Sequence, residues 1–188
     1  MTQPRERLPT GQRQVARLPV VFIGGPPRVD TAAWSLRVHG AVEAPFEVGW
    51  SAFQWLPMET VIADFHAATG WSVLDVAWRG VRVGELIARA EPAPRARFAR
   101  FSDGELYDTT LTLEDALRPD VLLAHLCCDA PIARDHGGPV RLVVPQKYGW
   151  KSVKWLAEIE LVADDRPGFW ERRGRPTAAD PWRGERGL

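Results

Sequence analysis

Three short stretches of the chain carry side chains suited to chemistry. In DFHAATGWS, residues 64–72, His66 can serve as a base or a hydrogen-bond donor, Thr69 and Ser72 add hydroxyls, and Gly70 with Trp71 shapes a wall. At its centre, where a reactive group would be sought, Ala67 offers only a methyl, and no serine or cysteine nucleophile stands here with a recognisable base. In RDHGGPVRLVVP, His136, two glycines and Arg141 sit on a turn that feeds a strand. Glycine lets a backbone approach a ligand closely, and arginine presents a rigid fork of donors suited to phosphate or a polar heterocycle. In QKYGWKSVKWL, Lys151, Ser152 and Lys154 follow a turn at Tyr148 and can be aimed at one anion, although the glycine pattern of a P-loop is absent. Each stretch also has a plain reading: a structural histidine, a hairpin entry with a surface arginine, a solvated lysine face. His39 and His125 fall inside strand patterns and read as structural.

The elements that must position these residues are short. WSLRVHGAV, RFARFS and VKWLAEIELV alternate with period two and predict half-buried strands; VLLAHLC reads as a buried strand and PVRLVVP as a strand framed by prolines. In VKWLAEIELV, Val153, Trp155, Ala157, Ile159 and Leu161 would share the core face, leaving Lys154 to face outward or into a site. VGWSAFQWLP predicts a short helix with Ser51 as its cap, VRVGELIARA a brief strand entering a helical turn, and TLEDALRPD a short helix capped by Thr112. The expected fold is a single β-rich α+β domain with long aromatic-packed loops, preceded by a loose polar segment over 1–17. From about residue 164 a turn-rich, aromatic segment is expected to wrap back onto the body through residue 188.

Composition narrows the partners. The 188 residues carry 24 basic and 24 acidic side chains, so the chain lacks the net positive charge on which nucleic-acid binders rely. The apolar run Leu18–Ile23 is short and interrupted by Pro19, and nothing approaches the roughly 20 apolar residues of a membrane helix. The expectation is a cytoplasmic protein acting on a small molecule, with no nucleic acid and no membrane. Cys127 and Cys128 are adjacent, which gives neither a disulfide framework nor metal-ligand spacing.

Taken in order, DFH-x-x-T-x-WS, W-x-GV, HGGPVRLVVP, YGWKSVKW, DRPGFWE and DPW resemble the molybdopterin-binding domain of the sulfite oxidase superfamily, above all its small bacterial members that consist of this domain alone. The resemblance runs from about Leu18 to Arg186. It implies a mixed β-rich fold around a molybdenum held by a pterin dithiolene. By the same resemblance, His136 and Arg141 would contact the pterin, and Lys151, Ser152 and Lys154 would hold its phosphate end. Thr69 and Trp71 would form the cofactor wall, and His66 and Tyr148 would lie near the mouth of the metal site as the candidate catalytic groups. The family's molybdenum-binding cysteine falls at Ala67, so no protein ligand to the metal is expected.

Two further departures accompany it. An asparagine of the family's pterin site is replaced by Thr109 or Thr110 in YDTTL, and a Gly-Tyr-His stretch after FWE is GRP, residues 174–176. Adjacent strand residues face opposite ways, so Cys127 and Cys128 are poor substitutes for the lost ligand. Three activities stay open: oxygen-atom or electron transfer with altered metal coordination and an external redox partner, a non-redox cyclisation, elimination or isomerisation of a small metabolite, and a catalytically silent binding protein.

Overall fold

Two long runs form the hairpin on which the site is built. The structure, a computed structural model, describes residues 7–187. In chain order its strands are β1 (Arg13–Gln14), β2 (Ser35–Gly40), β3 (Phe46–Gly49), β4 (Glu59–Ala67), β5 (Trp71–Arg82) and β6 (Phe98–Ser102). They continue with β7 (Asp108–Thr112), β8 (Leu122–Cys127), β9 (Ala130–Pro131), β10 (Arg141–Val143) and β11 (Glu158–Val162). The helices are short: α1 (Trp50–Phe53), α2 (Val83–Arg89) and α3 (Leu113–Ala116). β4 and β5 pair antiparallel from Glu59↔Gly80 to Ala67↔Trp71, so DFHAATGWS is the tip of this hairpin and not a free loop.

β5 continues the first sheet through β8 to β10, with β1, β4 and β9 as further members. The second sheet has the order β3-β2-β11-β6-β7. Residues from both sheets and from α2 share the main core, including Leu36, Val38, Val81, Leu86, Leu123, Leu142 and Ile159. In β8, Leu122 and Ala124 pack into a second cluster with Phe65, Trp71 and Trp78 on the opposite face. Both faces of this strand are therefore buried, which is why it reads as a continuous apolar run. A Cβ on Gly80 would meet Leu123 O at 2.0 Å, and the β5–β8 register shifts at Arg79/Gly80. Thr112 caps α3 by accepting from Asp115 N–H at 3.1 Å.

The structure corrects three local expectations. The helix at α1 is entered from Gly49 with no side-chain cap, so Ser51 lies inside it. The run VKWLAEIELV is a strand only over Glu158–Val162. Trp155 has φ +51, outside strand geometry, and its N–H donates to Gly137 O at 3.1 Å. Residues 7–17 are not loose. Arg13 and Gln14 run parallel to Trp71 and Ser72, and Arg7 bonds Asp64 and Asp75 at 2.5 and 2.7 Å. The first six residues of that segment lie outside the described residues. Beyond Val162 the chain lies on the body, through Phe169 N–H to Asp108 O and Tyr148 N–H to Ala179 O. Among the described residues no helix is long and apolar enough to cross a membrane.

Candidate functional site

Where the hairpin tip meets β10 and the turn before β11, the chains leave a cavity of about 170 Å³. Ala67, Ala68, Thr69 and Trp71 line it from the hairpin, and His136, Arg141, Ser152 and Lys154 from the β10 side. Aromatic walls come from Phe65, Tyr107, Trp150, Trp155 and Trp170, while Leu18–Ile23 closes one side and Arg175 reaches in from the C-terminal segment. Among the sequence-predicted residues, Ala67, Thr69, Trp71, His136, Arg141, Ser152 and Lys154 are thus brought together.

The cationic end is built with care for its backbone. Arg141 is 3% exposed, its Nη atoms donating to His136 O at 2.8 Å and Ser152 O at 3.2 Å, over the rings of Phe65 and Trp78. Lys154 Nζ donates to Asp135 O at 2.6 Å and Val21 O at 2.7 Å. Gly137, at φ +103, permits this approach: a Cβ there would come within 2.8 Å of the Lys154 side chain. Among the described residues neither cation has a carboxylate partner. Burial pushes Arg141 down to about 10 and Lys154 down to about 8, the latter helped by Arg141. Burial, then Lys154 and Arg141, lowers His136 and keeps its ring neutral near pH 7.

A buried guanidinium and a half-buried ammonium that line one cavity and donate only to carbonyls suit an anion. A flat heterocycle bearing a phosphate fits: the phosphate at Arg141 and Lys154, the ring system among the indoles and phenyls. A metal ligated by the protein does not fit. Ala67, 8% exposed, presents its methyl, and among the described residues no three His, Cys, Asp or Glu side chains converge on one point. Cys127 and Cys128 do not line the cavity; their sulfurs lie 4.0 Å apart at a turn, and burial and Cys128 push the Cys127 thiol up to about 12. A metal here would depend on ligands its cofactor brings.

Because an anion stabilises charged Lys154, binding is linked to protonation. Above a free-state pKa of about 8 the ligand must recruit a proton, so affinity falls as pH rises. Calorimetry with inorganic sulfate is expected to show roughly tenfold weaker binding at pH 9 than at pH 7, with proton uptake visible in buffers of different ionisation heat. Equal affinity at the two pH values would remove Lys154 from the site.

Four predicted residues lie elsewhere. Lys151 is fully buried and paired with Glu171 at 2.5 Å, its Nζ also donating to Thr110 O at 2.8 Å. The turn over Gly149–Lys151 directs it away from the cavity and toward the C-terminal segment. Thr110 donates its hydroxyl to Arg166 O at 2.5 Å. His66 Nδ1 lies 2.8 Å from Ser72 Oγ, and that hydroxyl donates to Gln12 Oε1 at 3.1 Å, so Nδ1 must carry the proton. Burial lowers the pKa of His66, and its ring meets Trp182 edge-on at 5.9 Å. Tyr148 is fully buried, its hydroxyl accepting from Arg186 Nε at 2.9 Å. His66 and Tyr148 fasten the two chain ends to the hairpin side of the cavity and do not line it. Sequence reasoning missed Tyr107, Trp150, Trp155, Trp170 and Arg175 as cavity residues. The run of aromatics flanking small residues was the signal available for the tryptophans.

This cavity and fold define a molybdopterin-domain protein. The chain belongs to the oxidoreductase molybdopterin binding domain family, whose profile matches residues 23–170. It is 35% identical over 181 residues to YuiH of Bacillus subtilis, an uncharacterized oxidoreductase, covering 96% of this chain and 91% of that one. It is 29% identical over 159 residues to MsrP, the catalytic subunit of a protein-methionine-sulfoxide reductase of Campylobacter jejuni, covering 76% of this chain and 53% of the relative. The sulfane dehydrogenase SoxCD of Paracoccus pantotrophus has the same fold, with a TM-score of 0.66 at 21% identity over 74% of this chain and 41% of that one. The chain therefore spans nearly all of the first relative and about half of the other two.

Proposed function

We propose that this protein holds a phosphate-bearing pterin in the cavity and carries out oxygen-atom or electron transfer on a small molecule with no protein ligand on the metal. One observation carries the reading: buried Arg141 and half-buried Lys154 line a cavity with aromatic walls, and neither has a carboxylate partner among the described residues. When bound, the cofactor supplies two-electron chemistry at a molybdenum held by the sulfurs of its own dithiolene. The protein's residues do the rest. Arg141 and Lys154 neutralise the phosphate, neutral His136 offers a ring nitrogen to the pterin edge, and Trp71, Trp150 and Trp155 keep water from the ring faces. On the hairpin side of the cavity, the methyls of Ala67 and Ala68 leave space where the family's thiolate would stand, with Thr69 next in the lining. Loss of that anionic ligand leaves the metal more positive and alters its potential and reactivity. Electrons would pass to or from an external redox partner, because the two adjacent cysteines cannot hold an iron–sulfur cluster. Sulfoxide reduction, the reaction named for the MsrP relative, is the first substrate class to try.

The Ala67 methyl also favours a second reading, in which the pocket binds a small metabolite without redox chemistry. Protein purified from a host that makes the cofactor distinguishes the two. The first reading expects close to one molybdenum and one pterin per chain; clean protein with neither supports the second. Ala67→Cys restores a thiolate at a buried cavity position, and the variant loaded with cofactor is expected to gain a cysteinyl-thiolate-to-molybdenum charge-transfer absorption on top of the dithiolene bands it shares with the parent. An unchanged spectrum at full loading would show that the metal does not lie beside residue 67.

A further inference from the structure

A third cation lines the cavity, and nothing so far explains its task. Arg175 lines the cavity, and its guanidinium lies over two indoles, 5.0 Å from the ring centroid of Trp150 and 4.7 Å from that of Trp170. These rings pack with Ala68 and Tyr148 in one cluster, which puts Arg175 on the Ala68 side of the hairpin tip. One Nη donates to the carbonyl of Arg186. Among the described residues Arg175 has no carboxylate partner. The neighbouring arginines differ: Arg172 is paired with Asp108 at 2.8 Å, and Arg173 lies on Phe169 outside the cavity.

Stacking on two aromatic faces fixes the plane of a guanidinium and leaves its edge to donate. A donor edge held this way suits a carboxylate, which it can bond through two parallel N–H···O contacts. The surroundings select further. Beside Arg175 the walls are indole rings and the Ala68 methyl; Thr69 and Tyr107 bring hydroxyls to the cavity, and the Tyr107 hydroxyl already donates to Trp150 O at 2.6 Å. A doubly charged inorganic oxoanion would lack donors there, whereas a monoanion with an apolar body would be met on both counts. We propose that Arg175 is the substrate-anchoring residue of this cavity and that the substrate is a small organic carboxylate, its apolar body lying toward Ala67. The inference deepens the function proposed above and rests on that cavity being the reacting site.

Two probes separate Arg175 from the Arg141–Lys154 pair. Cyclohexanecarboxylate, titrated into the purified full chain and followed by tryptophan fluorescence and calorimetry, is expected to bind saturably. Arg175→Gln should weaken it 10- to 100-fold, Arg175→Lys should give an intermediate loss, and Arg173→Gln should change it less than twofold. Inorganic sulfate, titrated into pterin-free protein and bound at Arg141 and Lys154, should be indifferent to Arg175→Gln. The idea is overturned if the carboxylate binds Arg175→Gln as well as the parent, or if sulfate and carboxylate lose equally. A melting temperature for each variant guards against misfolding, and the lysine variant keeps the test open if the glutamine one unfolds. Molybdenum and pterin content is measured alongside. Arg175-dependent carboxylate binding by protein without pterin keeps the anchoring site and removes the redox reading. Full pterin loading with no carboxylate binding removes the anchoring site alone.

Discussion

Replacing Lys151 with methionine is expected to lower the melting temperature by roughly 6–20 °C while leaving cofactor content unchanged. The lysine and Glu171 are both buried, 0% and 3% exposed, and their charges meet at 2.5 Å. Removing one member of a buried pair strands the other in low dielectric at a cost of about 3–5 kcal/mol, and a domain of this size loses about 2–4 °C per kcal/mol. Thr110 O would lose its donor as well. Burial lowers Lys151 against the pull of Glu171, so desolvation is already the dominant stress at this pair. A double variant gives the mechanism. In Lys151→Met combined with Glu171→Leu no charge is left behind, and at least half of the loss should return. The opposite result, an unchanged melting temperature with lost cofactor, would return Lys151 to the phosphate-holding role its sequence position implies.

That contrast shows what could be read from the chain. Lys151 and Lys154 are three residues apart and chemically equivalent, yet one binds the C-terminal segment and the other faces the cavity. The difference arises from the tight turn at Gly149–Lys151 and the positive φ of Trp155, neither of which leaves a compositional mark. Arg141 and His136 were legible because glycines and a proline-framed strand fix their placement locally. His66 and Tyr148 were not, because the groups that take up their polar atoms, Gln12 and Arg186, lie near the two ends of the chain. The β4–β5 hairpin escaped notice as strands because β4 mixes exposed Ile62 with half-buried Asp64 and so lacks a clean period. Arg175 sits in a segment with no periodicity, where only the folded chain could bring it to the cavity. Local chemistry was readable, and long-range pairing was not.

Replacing Arg141 with methionine is expected to leave the unliganded protein folded, within a few degrees of the parent melting temperature, and to cut cofactor retention at least 30-fold. Two terms nearly cancel in the free protein. The substitution removes a guanidinium that burial has already pushed down to about 10, which relieves a desolvation cost, and it deprives His136 O and Ser152 O of a donor, which costs about 1–3 kcal/mol for each carbonyl that finds no water. Methionine keeps most of the volume between Phe65 and Trp78, so the packing loss is small. With the ligand present the cancellation disappears. A buried anion left without its cation loses about 2–5 kcal/mol of binding, a factor of roughly 30 to several thousand. Arg141→Lys keeps the charge but not the fork and should fall between. Pterin content, measured on parent and variants purified from the same cofactor-making host, reads the effect directly. An Arg141→Met protein that keeps its pterin would mean the guanidinium serves only the backbone carbonyls around it, and the cavity would then need a different anion-holding group.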